Sequence, residues 1–184
     1  VDEVGPARLD RLWLRGGFPL SYLARSEDRS RSWRRDFVRT FLERDLPQLG
    51  VQIPAATLER FWAMLAHYHG QVWSASEFAR SFAVTVRKSL DILTATFVVR
   101  QLRPWSENVG KRQVRSPKVY LADSGLLHSL LGIQSVADLE RHPKVGASWE
   151  GFAIVSVVER LRARWDECYF WATHAGAEID LLVV

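Results

Sequence analysis

The sequence predicts an α+β chain, and three observations carry that expectation. Apolar residues recur at helical spacing through the first hundred residues, short β-rich runs follow Phe97, and the chain closes on an apolar strand bearing two carboxylates, Glu178 and Asp180. With 184 residues, 47% of them hydrophobic and 8 of them Trp, there is material for one large core or two small ones. The longest apolar runs fall well short of the ~18 residues that a bilayer span demands, and no signal-peptide pattern opens the chain, so no membrane partner is expected. The single cysteine, Cys168, can form no internal disulfide and excludes a cysteine-based zinc site, which suits a reducing, cytoplasmic setting. The only methionine is Met64 and Val184 stands inside a hydrophobic run, so a fragment trimmed at both ends is expected. The net charge of +4 is uneven: residues 1–120 carry 20 Lys+Arg against 12 Asp+Glu, and residues 121–184 carry 5 against 9. The basic part suits a polyanion, whereas the acidic part could meet one only through a metal.

Residues 1–50 read as a helical connector. Gly16-Gly17-Phe18-Pro19 is a turn signal, and Trp33, Phe37 and Phe41, with Val38 and Leu42 alongside, have helical spacing. Arg31, Arg34, Arg35 and Arg39 fall on the rest of that helix, most simply as a solvated face balanced by Asp36, Glu43 and Asp45.

Residues 51–132 follow a more specific order. Leu58, Phe61, Trp62, Leu65 and Tyr68 make one helical stripe ended by Gly70; Ser74 or Ser76 can cap a second helix; Val86, Leu90, Leu93 and Phe97 make a third stripe. Two strands, Phe97 to Arg103 and Lys118 to Ala122, then flank a basic loop. Three helices and a basic hairpin are the order of a winged helix-turn-helix. In such a fold the start of the second helix of the pair reaches bases, here Thr85, Arg87 and Lys88, while Lys111, Arg112 and Arg115 in the wing would engage phosphates.

Residues 143–184 hold the acidic chemistry. Ser148 can cap a helix with an apolar face of Ile154, Val157, Val158, Leu161 and Trp165, and one turn before Ile154 lies Glu150. On its own Glu150 is explained by the positive helix start, worth a few tenths of a kcal/mol. Glu178 and Asp180, two apart on a strand, leave the same face, and paired carboxylates are what Mg²⁺ requires.

Five motifs in register then carry a resemblance: Gly16-Gly17-Phe18-Pro19, Arg44-Asp45-Leu46, Pro117 through Leu126, Gly146 through Phe152, and Gly176 through Leu181. Together they resemble the C-terminal region, a domain of unknown function, of a large family of prokaryotic predicted AAA-type ATPases. The resemblance implies a winged helix joined to a restriction-endonuclease-like domain of the PD-(D/E)XK type, truncated here, behind an N-terminal ATPase module of the same polypeptide. It assigns Glu150, Asp180 and Glu178 as candidate catalytic residues, with Glu150 and Asp180 as metal ligands. The Glu-x-Lys element of such nucleases and a phosphate-binding loop are both absent from these residues, so the chain itself is expected to hydrolyse neither DNA nor ATP, and Mg²⁺ is expected only in a full-length protein. The resulting expectation is a DNA-associated, nuclease-like module of an ATPase; the alternative is a catalytically inert module coupling the ATPase to a protein partner.

Overall fold

A computed structural model describes residues 4–80, 86–105, 114–173 and 175–184. In chain order these form α1 (Leu9–Arg15), α2 (Pro19–Tyr22), α3 (Glu27–Thr40), a π-helical turn (Phe41–Asp45), α4 (Leu46–Gln48), α5 (Ala55–His67), β1 (Gln71–Val72), α6 (Ala75–Ala79), α7 (Val86–Ala95), β2 (Val99–Pro104), β3 (Lys118–Leu121), α8 (Ser124–Leu130), α9 (Val136–Arg141), α10 (Val145–Leu161), β4 (Cys168–Ala172) and β5 (Glu178–Val183). The architecture is α+β, with a five-stranded mixed sheet. The chain groups into two compact units, Val1–His67 with Asp123–Trp149 and Tyr68–Ala122 with Glu150–Val184. No helix among the described residues is long and apolar enough to cross a membrane.

The first unit is helical. Ser26 caps α3, its side chain accepting from Arg29 N, and Glu27 and Asp28 place negative charge on the first turn. Rings run along this helix from Phe18 to Trp33 and Phe37, on to Phe41, and from there to Trp62 of α5, with centroids 4.8–5.9 Å apart. In α5 the spacing expected from sequence holds, with Leu58, Phe61, Trp62 and Leu65 all buried.

Arg34 departs from the expected solvated face. It lies one turn from both Ser30 and Val38 on the buried stripe, and its Nη1 donates to the carbonyls of Leu14 (2.8 Å) and Gly125 (3.1 Å). A helical wheel groups the arginines by surface, but the carbonyls at the end of α1 and the start of α8 select one of them for the interior.

Two of the sequence motifs meet here. The Asp123 side chain caps α8 by accepting from Leu126 N (2.8 Å) and also accepts from Gly17 N (2.7 Å). Gly16, at φ 78°, has no room for a side chain, since a Cβ would lie 2.2 Å from Asp123 Oδ1. A Cβ on Gly125 would lie 2.1 Å from Arg15 O, so this glycine lets α1 and α8 touch backbone to backbone.

His128 completes the polar interior. Its Nδ1 stands 3.1 Å from Leu14 O, an acceptor only, so Nδ1 carries the hydrogen; Nε2 then accepts from Ser148 Oγ at 2.7 Å, and Ser148 accepts from Trp13 Nε1 at 2.9 Å. Ser148 was expected to cap its helix. Instead α10 begins three residues earlier, at Val145, and the hydroxyl serves the histidine.

In the second unit the strand order is β1-β3-β2-β4-β5, with β2 and β4 parallel and the other neighbours antiparallel. All four residues of β3 are buried. Leu102, Tyr120, Ile154, Val158, Cys168 and Phe170 form the core between the sheet and α10. The inward stripe of α10 is narrower than expected, because Val157 and Leu161 are exposed. In α7, Val86, Leu90 and Leu93 are buried, but Phe97 lies beyond the helix at φ 63° and is exposed, its ring 5.6 Å from the Arg100 guanidinium.

Burial pushes the His128 imidazole down to about 4 from its ordinary 6.5. An unfolded chain takes up this proton near pH 6.5 and the folded chain only near pH 4, so the contribution is intact above 6.5 and is lost as pH falls between the two. The expected slope is at most about 1.4 kcal/mol per pH unit. Urea unfolding of wild type and His128→Gln across pH 7.5 to 4 checks this: the difference between them should shrink towards acid, and a constant difference would count against it.

Candidate functional site

The chemistry gathers around β3, in the second unit. Lys118 and Tyr120 are two apart on this strand and therefore share a face. On that face Lys118 Nζ donates to Glu150 Oε1 at 3.1 Å and Asp180 Oδ1 at 3.3 Å, and also pairs with Glu178. Tyr120 OH donates to the same Glu150 oxygen at 2.5 Å. The Phe170 ring lies 5.7 Å from the ammonium.

Each element places its residue for a local reason. Glu150 sits one turn before Ile154 and two before Val158, both buried on α10, so the helix delivers it to the sheet face. The neighbouring Gly151 permits close packing: a Cβ there would lie 2.2 Å from His69 Nε2 and 3.2 Å from the Tyr120 ring. His69 in turn accepts the Leu121 N–H at 3.0 Å through Nδ1 and meets Tyr120 edge-on. On β5, Glu178 opposes Ala172, and the register against β4 slips by one residue between Ile179 and Leu182, the stretch holding Asp180.

Exposure grades outward across the cluster. The Lys118 side chain is 6% exposed, Glu150 28%, Glu178 40% and Asp180 57%. Burial opposes the Lys118 charge, but its bonds to Glu178 and Glu150 and their negative charge outweigh burial and hold the ammonium above the ordinary lysine range. Burial first, and then the Glu150 carboxylate, pushes the Tyr120 phenol far up, so it remains a donor at all ordinary pH values.

Oxygen donors of this kind suit a hard divalent cation, yet their focus is taken by an ammonium. Among the described residues no group of three Asp, Glu, His or Cys side chains has an arrangement that could hold a metal ion. Mg²⁺ therefore does not fit these residues as they stand.

The structure brings Glu150, Glu178 and Asp180 together at one nitrogen. Arg87 and Lys88 are exposed on α7, where with Asp91, Ile92 and Ala95 they line a shallow open depression. Arg115 is exposed just before β3. Thr85, Lys111 and Arg112 lie outside the described residues. Lys118 and Tyr120 were not singled out from the sequence as site residues. The available signal was a charged residue opening the otherwise apolar run Lys118-Val119-Tyr120-Leu121, in step with a tyrosine.

The molecule is thus an α+β protein whose mixed sheet carries, on one face, a buried lysine paired with three partly exposed carboxylates. The chain belongs to the family described as domain of unknown function DUF8612, whose model matches residues 6–137. That match includes Lys118 and Tyr120 and ends before Glu150. Two curated relatives, the uncharacterized proteins Rv2008c of Mycobacterium tuberculosis and Mb2031c of Mycobacterium bovis, are each 56% identical to it over 186 residues. The alignment covers 100% of this chain but 42% of each relative, so the chain spans less than half of their length. No solved structure matches it.

Removing the Tyr120 hydroxyl leaves the Glu150 carboxylate with one hydrogen-bond donor fewer in a partly buried site. Tyr120→Phe is expected to cost about 2 kcal/mol. Urea denaturation should show it as a lower midpoint with an unchanged slope, and an unchanged midpoint would mean that water replaces the phenol.

Proposed function

We propose that this chain is a DNA-associated, nuclease-like module forming the C-terminal part of a longer AAA-type ATPase. The observation that carries the reading is the meeting of three carboxylates from α10 and β5 on one face of the sheet. A helix followed by a hairpin with acidic residues at these places is the order expected of a PD-(D/E)XK-type domain. The helix pair α6–α7, followed by the β2–β3 hairpin with β1 along β3, supports a winged helix-turn-helix within the same unit. On this reading the N-terminal part of α7 faces DNA with Thr85, Arg87 and Lys88, and Lys111, Arg112 and Arg115 meet phosphates. An ATPase module would occupy part of the length that the curated relatives have beyond the match. Any use of Mg²⁺ by a full-length protein would require Lys118 to leave the focus of the carboxylates.

One observation favours a second reading. A buried ammonium already neutralises part of the acidic cluster, as in a catalytically inert module that couples the ATPase to a protein partner.

Fluorescence anisotropy with a duplex oligonucleotide at several salt concentrations separates the two. DNA contact requires affinity to fall steeply with salt, and Arg87→Ala with Lys88→Ala, or Lys111→Ala with Arg112→Ala, should each flatten the log–log slope by about one to two units. In parallel, supercoiled plasmid incubated with the chain and Mg²⁺ should remain intact. Absence of salt-sensitive binding at low ionic strength leaves the interaction module as the better account.

A further inference from the structure

We infer that the Lys118 ammonium is the resident cation of the Glu150, Glu178 and Asp180 cluster: the native protein leaves these carboxylates no place for a divalent ion, and loss of this one charge opens such a place. An ammonium has three N–H donors, and Lys118 has three carboxylate partners, one on α10 and two on β5. No donor remains to be satisfied. An ion at the same focus would need Mg–O or Ca–O distances of about 2.1–2.5 Å and would overlap Nζ, which lies 3.1 Å from Glu150 Oε1 and 3.3 Å from Asp180 Oδ1.

Nor can Lys118 readily withdraw. Its strand is paired on both sides, with β1 and with β2, and its side chain is almost wholly buried. Leaving the carboxylates would strand a buried charge without partners. The charge left over on the cluster does not demand a second cation either. Glu178 and Asp180 face solvent, which screens them, and the most buried carboxylate, Glu150, receives both Lys118 and Tyr120. Without Lys118 the same three carboxylates would repel one another around an empty centre lined by oxygen, the condition under which a hard cation binds. This holds whether or not α7 and the wing engage DNA, because the readout concerns the ion and not the duplex.

The experiment uses the full 184-residue chain with Mn²⁺, followed by electron paramagnetic resonance and by thermal unfolding at matched ionic strength. Wild type should bind no Mn²⁺ at this site, and its melting temperature should be unmoved by Mn²⁺ or Ca²⁺. Lys118→Met should melt several degrees lower, recover much of that loss with either ion, and bind Mn²⁺ at least about tenfold tighter than wild type. Adding Asp180→Asn should abolish the gain. Should Lys118→Met not fold alone, Ca²⁺-dependent recovery of its helical circular dichroism supports the inference equally. Stoichiometric Mn²⁺ binding by wild type that Asp180→Asn removes would overturn it. A Lys118→Met protein that neither binds nor is rescued by a divalent ion would overturn it too.

Discussion

The burial of one ammonium governs the second unit. Lys118 stands at the start of the most enclosed strand of the sheet, where an unpaired charge would be costly, so the fold must bring anions to it. It does so from elements distant in sequence, α10 and the edge strand β5, and each needs its own device: Gly151 to let the helix approach His69 and Tyr120, and a register slip in the stretch that holds Asp180. Tyr120 adds a neutral donor to the most buried carboxylate. The cluster thus ties helix, central strand and edge strand at one point, and the Lys118 ammonium lies 5.7 Å from the ring of Phe170, a residue of the apolar core.

The first unit meets the same constraint with backbone in place of carboxylates. Arg34 is buried against two carbonyls, Leu14 at the end of α1 and Gly125 at the start of α8. Asp123 supplies the complementary anion, but it spends its oxygens on the N–H groups of Gly17 and Leu126. Burial accordingly holds its carboxyl above the usual range, although these N–H donors and the Arg34 charge pull the other way. Gly16 and Gly125 exist at this junction for steric reasons, and the two motifs Gly-Gly-Phe-Pro and Asp-Ser-Gly-Leu describe one contact.

Periodicity made the helices legible in the sequence. The stripe of Leu58, Phe61, Trp62 and Leu65 and that of Val86, Leu90 and Leu93 are both buried, since regular spacing on one face is what burial selects. The pairing of Glu178 with Asp180 on one strand face, and the inward placement of Glu150, followed from the same periods. Other features were not legible because they depend on partners distant in the chain. Arg34 looks like any other arginine on α3 until the carbonyls of α1 and α8 are in place. Ser148 has the composition of a cap but is claimed by His128. Phe97 extends a heptad-like spacing yet falls past the helix end, where a positive φ turns it outward. Lys118 reads as a strand boundary, and only the joining of β3 with α10 and β5 reveals its role.

That last point bears on how acidic clusters are interpreted. Three carboxylates converging on a sheet face imply a positive charge at their centre, but they do not specify whether a metal or a side chain provides it. The discriminating quantity is the count of donors and acceptors at the focus. Here three carboxylates meet three ammonium hydrogens, and the phenol of Tyr120 takes up further acceptor capacity on Glu150. A strand-anchored lysine differs from a bound ion in one respect that matters mechanically: it cannot be lost by dilution or chelation. The cation at the junction of α10, β3 and β5 is therefore part of the chain and not a dissociable ion.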